Sequence, residues 1–214
     1  MKIGVLWDLD GTLLDTLDDL ADSVNFALQS CGYPLRTRDE VRQFVGHGVQ
    51  NLICRAVPEN APWEPAFGVF RQHYAIHCQD KTQPYAGIPE VLNRLRGKYP
   101  MAVVSNKLDG AVKELCQRWF PGVYGLGESP ALPRKPAPDM LKKAMQELSV
   151  DACIYVGDSE TDVQTAKNAD VPCLSVLWGF RSREALENAG AVHFCEKTEN
   201  LIAILEKMIG EIYG

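Results

Sequence analysis

The stretch VLWDLDGTLLDT, residues 5 to 16, decides how the rest of the chain is read. Val5, Leu6 and Trp7 form the end of an apolar run. Asp8 and Asp10 follow at once, with Gly11 and Thr12 behind them. A short, near-continuous apolar run is the mark of a strand in a parallel sheet covered on both faces. Side chains two apart on a strand share a face at about 6–7 Å, so the two carboxylates gather unless the chain turns. Something must make that charge tolerable where burial begins.

Further runs of the same kind follow. Ile3–Trp7, Met101–Ser105, Cys153–Val156 and Cys173–Leu177 read as buried strands, and Val192–Cys195 as a fifth at an edge. Helical periods separate them. Val91, Leu92 and Leu95 follow Pro89; Ala111, Val112, Leu115 and Trp119 mark the next; Leu141, Ala144, Met145 and Leu148 follow Pro138; Leu201, Ile202, Leu205, Met208 and Ile209 close the chain. Proline suits the first helical turn because its missing N–H has no partner there. Strands alternating with helices predict an α/β fold, a doubly wound parallel sheet.

One segment departs from this rhythm. Residues 15–82 read as helix only. Leu17, Leu20, Ala21, Val24, Ala27 and Leu28 keep a 3–4 spacing. Thr37 and Glu40 stand as a capping box, and Gly46-His47-Gly48 interrupts the helical period that Val49, Leu52, Ile53 and Ala56 resume. The expected organisation is therefore a core of residues 1–14 and 83–214 with an inserted α-helical domain over 15–82.

Hydrophobic content of 46% with 23% charged residues describes a soluble globular chain. No apolar run is long enough to span a membrane, and no basic leader precedes the first strand. A formal charge of −6 argues against nucleic acid as partner, since such proteins carry a basic face. The seven cysteines are scattered without a C-x-x-C pair, which indicates neither a disulfide framework nor a zinc site and suits the cytoplasm. His73 and His77 have metal-ligand spacing, but no third ligand accompanies them, so they read as a surface pair.

Ligands of an open parallel sheet bind outside the carboxyl ends of its strands. After the first strand come Asp8, Asp10, Gly11 and Thr12; after the second, Ser105, Asn106 and Lys107; after the third, Asp158, Ser159 and, one turn on, Asp162. Two like charges about 4 Å apart cost on the order of 4 kcal/mol at an effective dielectric of 20. Either a carboxylate protonates or a cation sits among them. All-oxygen ligands without His or Cys point to a hard ion, Mg²⁺ before Ca²⁺. Lys135, in a proline-stiffened loop, adds a point charge suited to phosphate. Carboxylates, a metal, a lysine and hydroxyl or amide donors together make up the equipment of phosphoryl transfer.

DLDGT at residue 8, SN at 105, RKPAP at 134 and GDSETD at 157 stand in the order of the four motifs of the haloacid dehalogenase (HAD) superfamily. The chain resembles the members with a small helical cap inserted after the first motif, the group of phosphoglycolate phosphatase and β-phosphoglucomutase. The resemblance implies a Rossmann-like core and a cap at 15–82. It implies that Asp8 is the nucleophile of an aspartyl-phosphate and that Asp10 is the acid and base. Mg²⁺ would be held by Asp8, the Asp10 backbone carbonyl and Asp158, with Asp162 and Ser159 behind them. Ser105 and Lys135 would bind the phosphoryl group, with Asn106, Gly11 and Thr12 beside it. Arg42, Gly46, His47 and Gly48 of the cap would meet the substrate, a small phosphorylated metabolite. The expected protein is a cytoplasmic monomer or homodimer. A phosphomutase and a non-catalytic phosphate-binding module stand as alternatives.

Overall fold

A computed structural model describes residues 1–213. The chain forms two compact units, Met1–Leu14 together with everything from Pro84 on, and Asp15–Gln83. Its elements in order are β1 (Ile3–Trp7), β2 (Leu14–Asp15), α1 (Leu17–Ser30), α2 (Arg38–Phe44), α3 (Val49–Ala56), α4 (Glu64–His77), β3 (Gln83–Pro84), α5 (Ile88–Leu95), β4 (Met101–Leu108), α6 (Asp109–Trp119), β5 (Tyr124–Glu128), α7 (Asp139–Leu148), β6 (Ala152–Gly157), α8 (Glu160–Ala169), β7 (Cys173–Val176), α9 (Arg183–Asn188), β8 (His193–Cys195) and α10 (Leu201–Tyr213).

The first unit is built on a six-stranded sheet in the order β5-β4-β1-β6-β7-β8, with every neighbouring pair parallel. Because side chains alternate across a strand, β1 feeds two separate cores. Val5 and Trp7 pack on one face with Ile88 and Leu95 of α5, Val112 and Leu115 of α6 and Leu205 of α10. Leu6 packs on the other face with Met140, Leu141 and Ala144 of α7 and Ala166 of α8. Helices thus cover both faces of the sheet. The central position of β1, between β4 and β6, brings the ends of all three strands together.

The edge strand β5 has no counterpart among the sequence-predicted strands. Its sequence is YGLGE, with too few apolar residues to read as a buried run. The glycines answer to packing. A Cβ on Gly125 would press on Cys116 and Val112 of α6, and one on Gly127 would overlap the backbone of Lys107 and Asp109. Close approach of α6 to this edge replaces the side chains that would have announced a strand.

The second unit is all helix apart from the strand residues at its two ends. Thr37 caps α2 with the full reciprocal box: its hydroxyl accepts the Glu40 N–H, and the Glu40 carboxylate accepts the Thr37 N–H. Val24, Ala27 and Leu28 of α1, Ile53 and Ala56 of α3 and Ala66 and Phe70 of α4 are buried. His73 and His77 stack with ring centroids 4.3 Å apart, and His73 also stacks on Phe26 of α1. Among the described residues, no helix is long and apolar enough to cross a membrane.

Candidate active site

Asp8 directly follows β1. Its N–H donates to the Val156 carbonyl of β6 at 2.8 Å, which fixes its backbone at the carboxyl end of the sheet. The Asp8 carboxylate takes two donors on the same oxygen, Oδ1: the Leu9 N–H at 2.7 Å and Lys135 Nζ at 2.9 Å.

Asp158 follows β6 and Asp162 lies in the first turn of α8, so both converge on Asp8. One oxygen of each lies within 4.8 Å of the others, and all three residues are buried. Asp158 is cradled by glycine. A Cβ on Gly11 or on Gly179 would overlap its carboxylate, and Gly11 adopts a left-handed φ of 85° that other residues take only with strain. Thr12 Oγ1 donates to Asp158 Oδ1 at 3.2 Å, and the Phe180 N–H donates to Oδ2 at 2.7 Å.

Asp162 is fully engaged. Its Oδ1 accepts from Lys135 Nζ at 2.8 Å and lies 3.0 Å from the Tyr155 hydroxyl. Its Oδ2 takes the Ser159 N–H and hydroxyl at 3.1 and 2.6 Å. Burial alone would raise its pKa, but the Lys135 ammonium and these hydrogen bonds hold it below the ordinary carboxylate value. Asp8 goes the other way. Burial and the neighbouring Asp162 charge push it well above its ordinary value against the pull of Lys135. Asp158 is raised to about 7, by burial first and by Asp162 second. Three carboxylates in one dry site cannot all ionise without a further positive charge. That is the condition a divalent cation meets.

Lys135 is itself buried at 3% exposure. Burial works against its charge, and Asp162 and Asp8 more than offset this, so its pKa rises above the ordinary lysine value. The Tyr155 hydroxyl accepts a third Nζ hydrogen bond at 2.9 Å. The loop that carries Lys135 is gripped by Asn106: the Lys135 N–H donates to Asn106 Oδ1 at 2.8 Å, and Asn106 Nδ2 donates to the Lys135 carbonyl at 2.9 Å. Ser105, 2% exposed, accepts the Lys107 N–H on its hydroxyl at 3.3 Å. The Asp10 carboxylate stands apart from the buried triad, with Lys107 Nζ 2.9 Å from its Oδ1.

The sequence matches the family model of haloacid dehalogenase-like hydrolases over residues 5–176. The chain belongs to the haloacid dehalogenase-like hydrolase family. A relative from Mesorhizobium japonicum is 31% identical over 96% of this chain and 97% of its own length, and one from Aquifex aeolicus is 31% identical over 82% and 85%. Both are named phosphoglycolate phosphatase. A crystal structure from Lactobacillus delbrueckii subsp. bulgaricus, provisionally named phosphoglycolate phosphatase, superposes with a TM-score of 0.89 at 36% identity, covering 94% of this chain and 98% of that one.

In this haloacid dehalogenase-like hydrolase, Asp8, Gly11, Thr12, Lys135, Asp158, Ser159 and Asp162 form one connected cluster, Asn106 reaches it through Lys135, and Ser105 accepts the N–H of Lys107, whose ammonium holds Asp10. Arg42 sits in the last turn of α2, and Gly46, His47 and Gly48 link α2 to α3 in the helical unit. Three contributors escaped the sequence reading. Tyr155 looked like a core residue of β6, yet its hydroxyl serves Lys135. Trp178 lies just past the end of β7, where its Nε1–H donates to the Thr12 carbonyl at 3.0 Å while Gly179 makes room for Asp158. Lys107 was visible at a strand end, but nothing in the sequence pairs it with Asp10.

Proposed function

We propose that this hydrolase is a Mg²⁺-dependent phosphatase of small phosphorylated metabolites, of the phosphoglycolate or sugar-phosphate type, working through an aspartyl-phosphate on Asp8. The observation that carries the proposal is the charge arrangement. Asp8, Asp10, Asp158 and Asp162 meet two buried ammoniums, Lys107 and Lys135. Two negative charges remain, the complement of one divalent cation.

The donor set fits Mg²⁺: oxygen only, with carboxylates few enough to leave room for water and phosphate oxygens. Asp8 and Asp158 would hold it together with the Asp10 carbonyl, since both Asp162 oxygens are committed to Lys135, Tyr155 and Ser159. When bound, the ion would neutralise these carboxylates and the phosphoryl oxygens near them.

The chain's own residues would do the rest. Lys135 and the Leu9 N–H hold Asp8 by one oxygen, which fixes the carboxylate for attack on phosphorus. Lys135 stays charged beside that oxygen and would bind the phosphoryl group, with the Ser105 hydroxyl as a further donor. Asp10 would protonate the departing oxygen, then take the proton of the water that cleaves the aspartyl-phosphate. Asn106 and Tyr155 would fix Lys135, and Gly11 and Thr12 would fix Asp158. The curated relatives named phosphoglycolate phosphatase support the substrate class.

The test is release of inorganic phosphate from a panel of phosphorylated metabolites, with Mg²⁺ and with EDTA, by wild type and Asp8→Asn. Turnover that requires Mg²⁺ and is abolished in Asp8→Asn is expected, with 2-phosphoglycolate among the best substrates. Folded protein that releases phosphate from no member of the panel would refute the proposal.

A further inference from the structure

We infer that Lys107 is a positioning residue for proton transfer: it holds the Asp10 carboxylate by one oxygen so that the other faces the departing group of the substrate. This rests on the proposed role of Asp10 as acid and base.

Lysine is among the residues least often buried, yet the Lys107 side chain is 3% exposed, with Nζ 2.9 Å from Asp10 Oδ1. Taking an ammonium and a carboxylate out of water is expensive, and their attraction repays it only when the geometry is good. The base of this lysine is correspondingly rigid. Its N–H donates to Ser105 Oγ at 3.3 Å. Its carbonyl lies where a Cβ on Gly127 would come within 2.6 Å, so β5 closes over it only because residue 127 is glycine. The Gly127 N–H in turn donates to Asp109 Oδ1 at 3.0 Å at the start of α6. The ammonium therefore projects from a fixed strand end rather than from a mobile surface stem.

The two lysines divide the two aspartates. Lys135 takes Asp8, the nucleophile, and Asp162 behind it; Lys107 takes Asp10. Each carboxylate is gripped through Oδ1. The same device orients the Asp8 carboxylate for attack and the Asp10 carboxylate for proton transfer. Proximity without orientation is worth little in such a step, because a displacement of about 1 Å can cost on the order of 100-fold in rate.

A positioned acid matters in proportion to how badly the leaving oxygen needs a proton. An alkyl oxygen, as in 2-phosphoglycolate, needs one. p-Nitrophenolate departs without help. The experiment is kcat/KM for 2-phosphoglycolate and for p-nitrophenyl phosphate in wild type, Lys107→Met, Lys107→Arg and Asp10→Asn, all checked for folding by thermal melts at saturating Mg²⁺. The parameter kcat/KM isolates formation of the aspartyl-phosphate, the step in which the leaving group departs. In Lys107→Met the alkyl-to-aryl ratio of kcat/KM should fall about tenfold or more, in the direction of Asp10→Asn, with partial recovery in Lys107→Arg. Lys107→Arg also tests the inference should the methionine variant not fold, since its longer, forked guanidinium keeps the charge but not the geometry of the ammonium and predicts a smaller fall in the same ratio. Equal losses for both esters would overturn the inference and make Lys107 a phosphate ligand or a structural residue; an unchanged ratio with unchanged rates would overturn it as well. The failure of the underlying proposal looks different: Asp10→Asn would leave the ratio untouched, or wild type would hydrolyse neither ester.

Discussion

Asn106 grips Lys135 by both ends of its amide, accepting the Lys135 N–H at 2.8 Å and donating to the Lys135 carbonyl at 2.9 Å. The contact joins the end of β4 to a loop 29 residues away and sets where the ammonium between Asp8 and Asp162 begins. Replacing Asn106 by Ala leaves a buried N–H and a buried carbonyl unpaired. Each unpaired group costs about 1–3 kcal/mol, so a clear drop in Tm is expected. The released loop should lower kcat/KM by about 10–100-fold, since the ammonium loses its fixed base. A melt combined with steady-state kinetics checks both. A variant that melts early but turns over normally would show that the Lys135 loop is placed by other contacts.

Tyr155→Phe probes the other side of the same lysine. The substitution keeps the ring and removes only the hydroxyl that accepts from Lys135 Nζ and lies 3.1 Å from the Val104 carbonyl. No cavity of consequence forms. The expected loss of stability is about 1–3 kcal/mol. The fall in kcat should be smaller than in Asn106→Ala, because Asp8 and Asp162 still hold the ammonium. Thermal unfolding of the two variants side by side decides it. Wild-type stability in Tyr155→Phe would mean the hydroxyl contributes nothing to the lysine.

These two residues show where the sequence stops being readable. The sheet was legible because Ile3–Trp7 and its parallel partners are near-continuous apolar runs, and the gathering of Asp8, Asp158 and Asp162 was legible because the carboxyl ends of neighbouring parallel strands lie side by side. Neither argument reaches Tyr155, whose alternation and burial are those of any core residue; its hydroxyl acquires a use only when the Lys135 loop arrives over β6. Lys107 and Asp10 are 97 residues apart, and no local pattern pairs them. Asn106 read as a phosphate donor because an amide after a strand end suits an anion, whereas both ends of that amide are spent on Lys135. Strand β5 was hidden by glycines that serve helix α6. Local periodicity carries burial, and it carries no information on which distant chain will claim a polar atom.

The raised carboxylates give a pH dependence with a defined sign. The folded-state pKa of Asp158 is about 7, above the unfolded value of about 3.9, and Asp8 is raised likewise. Between these values the folded state binds more protons than the unfolded one, so metal-free stability falls as pH rises from about 4 through 7. Asp162, whose pKa is lowered, contributes stability that is lost only at more acid pH, outside this window. A divalent cation relieves the repulsion and competes with the protons. Mg²⁺ should therefore raise Tm more at pH 8 than at pH 5. Melts at the two pH values, with EDTA and with Mg²⁺, test it. An equal gain at both would show that the ion does not bind among these carboxylates.

Gly179→Ala separates the proposed cation binding from the fold. A Cβ at this position would overlap Asp158 and the Gly11 carbonyl. The Gly11 carbonyl is backbone and the Asp158 side chain is buried, so neither yields without moving the carboxylate off its Thr12 and Phe180 donors. Gly179 carries no left-handed φ among the positive-φ glycines, so the substitution acts through space rather than through backbone strain. Overpacking of this kind costs about 1–3 kcal/mol, which leaves a folded protein for assay. The displaced Asp158 should raise the Mg²⁺ concentration for half-maximal activity about tenfold or more, while Asp8 keeps Lys135. Gly110→Ala supplies the control: it lies in α6 with nothing within 4 Å of a new Cβ, and alanine there is favoured by helix propensity. Mg²⁺ titrations of the two variants should diverge, with Gly110→Ala following wild type. If Gly179→Ala titrates as wild type does, Asp158 is not a ligand of the ion, and the weight of cation binding shifts to Asp8 and the Asp10 carbonyl.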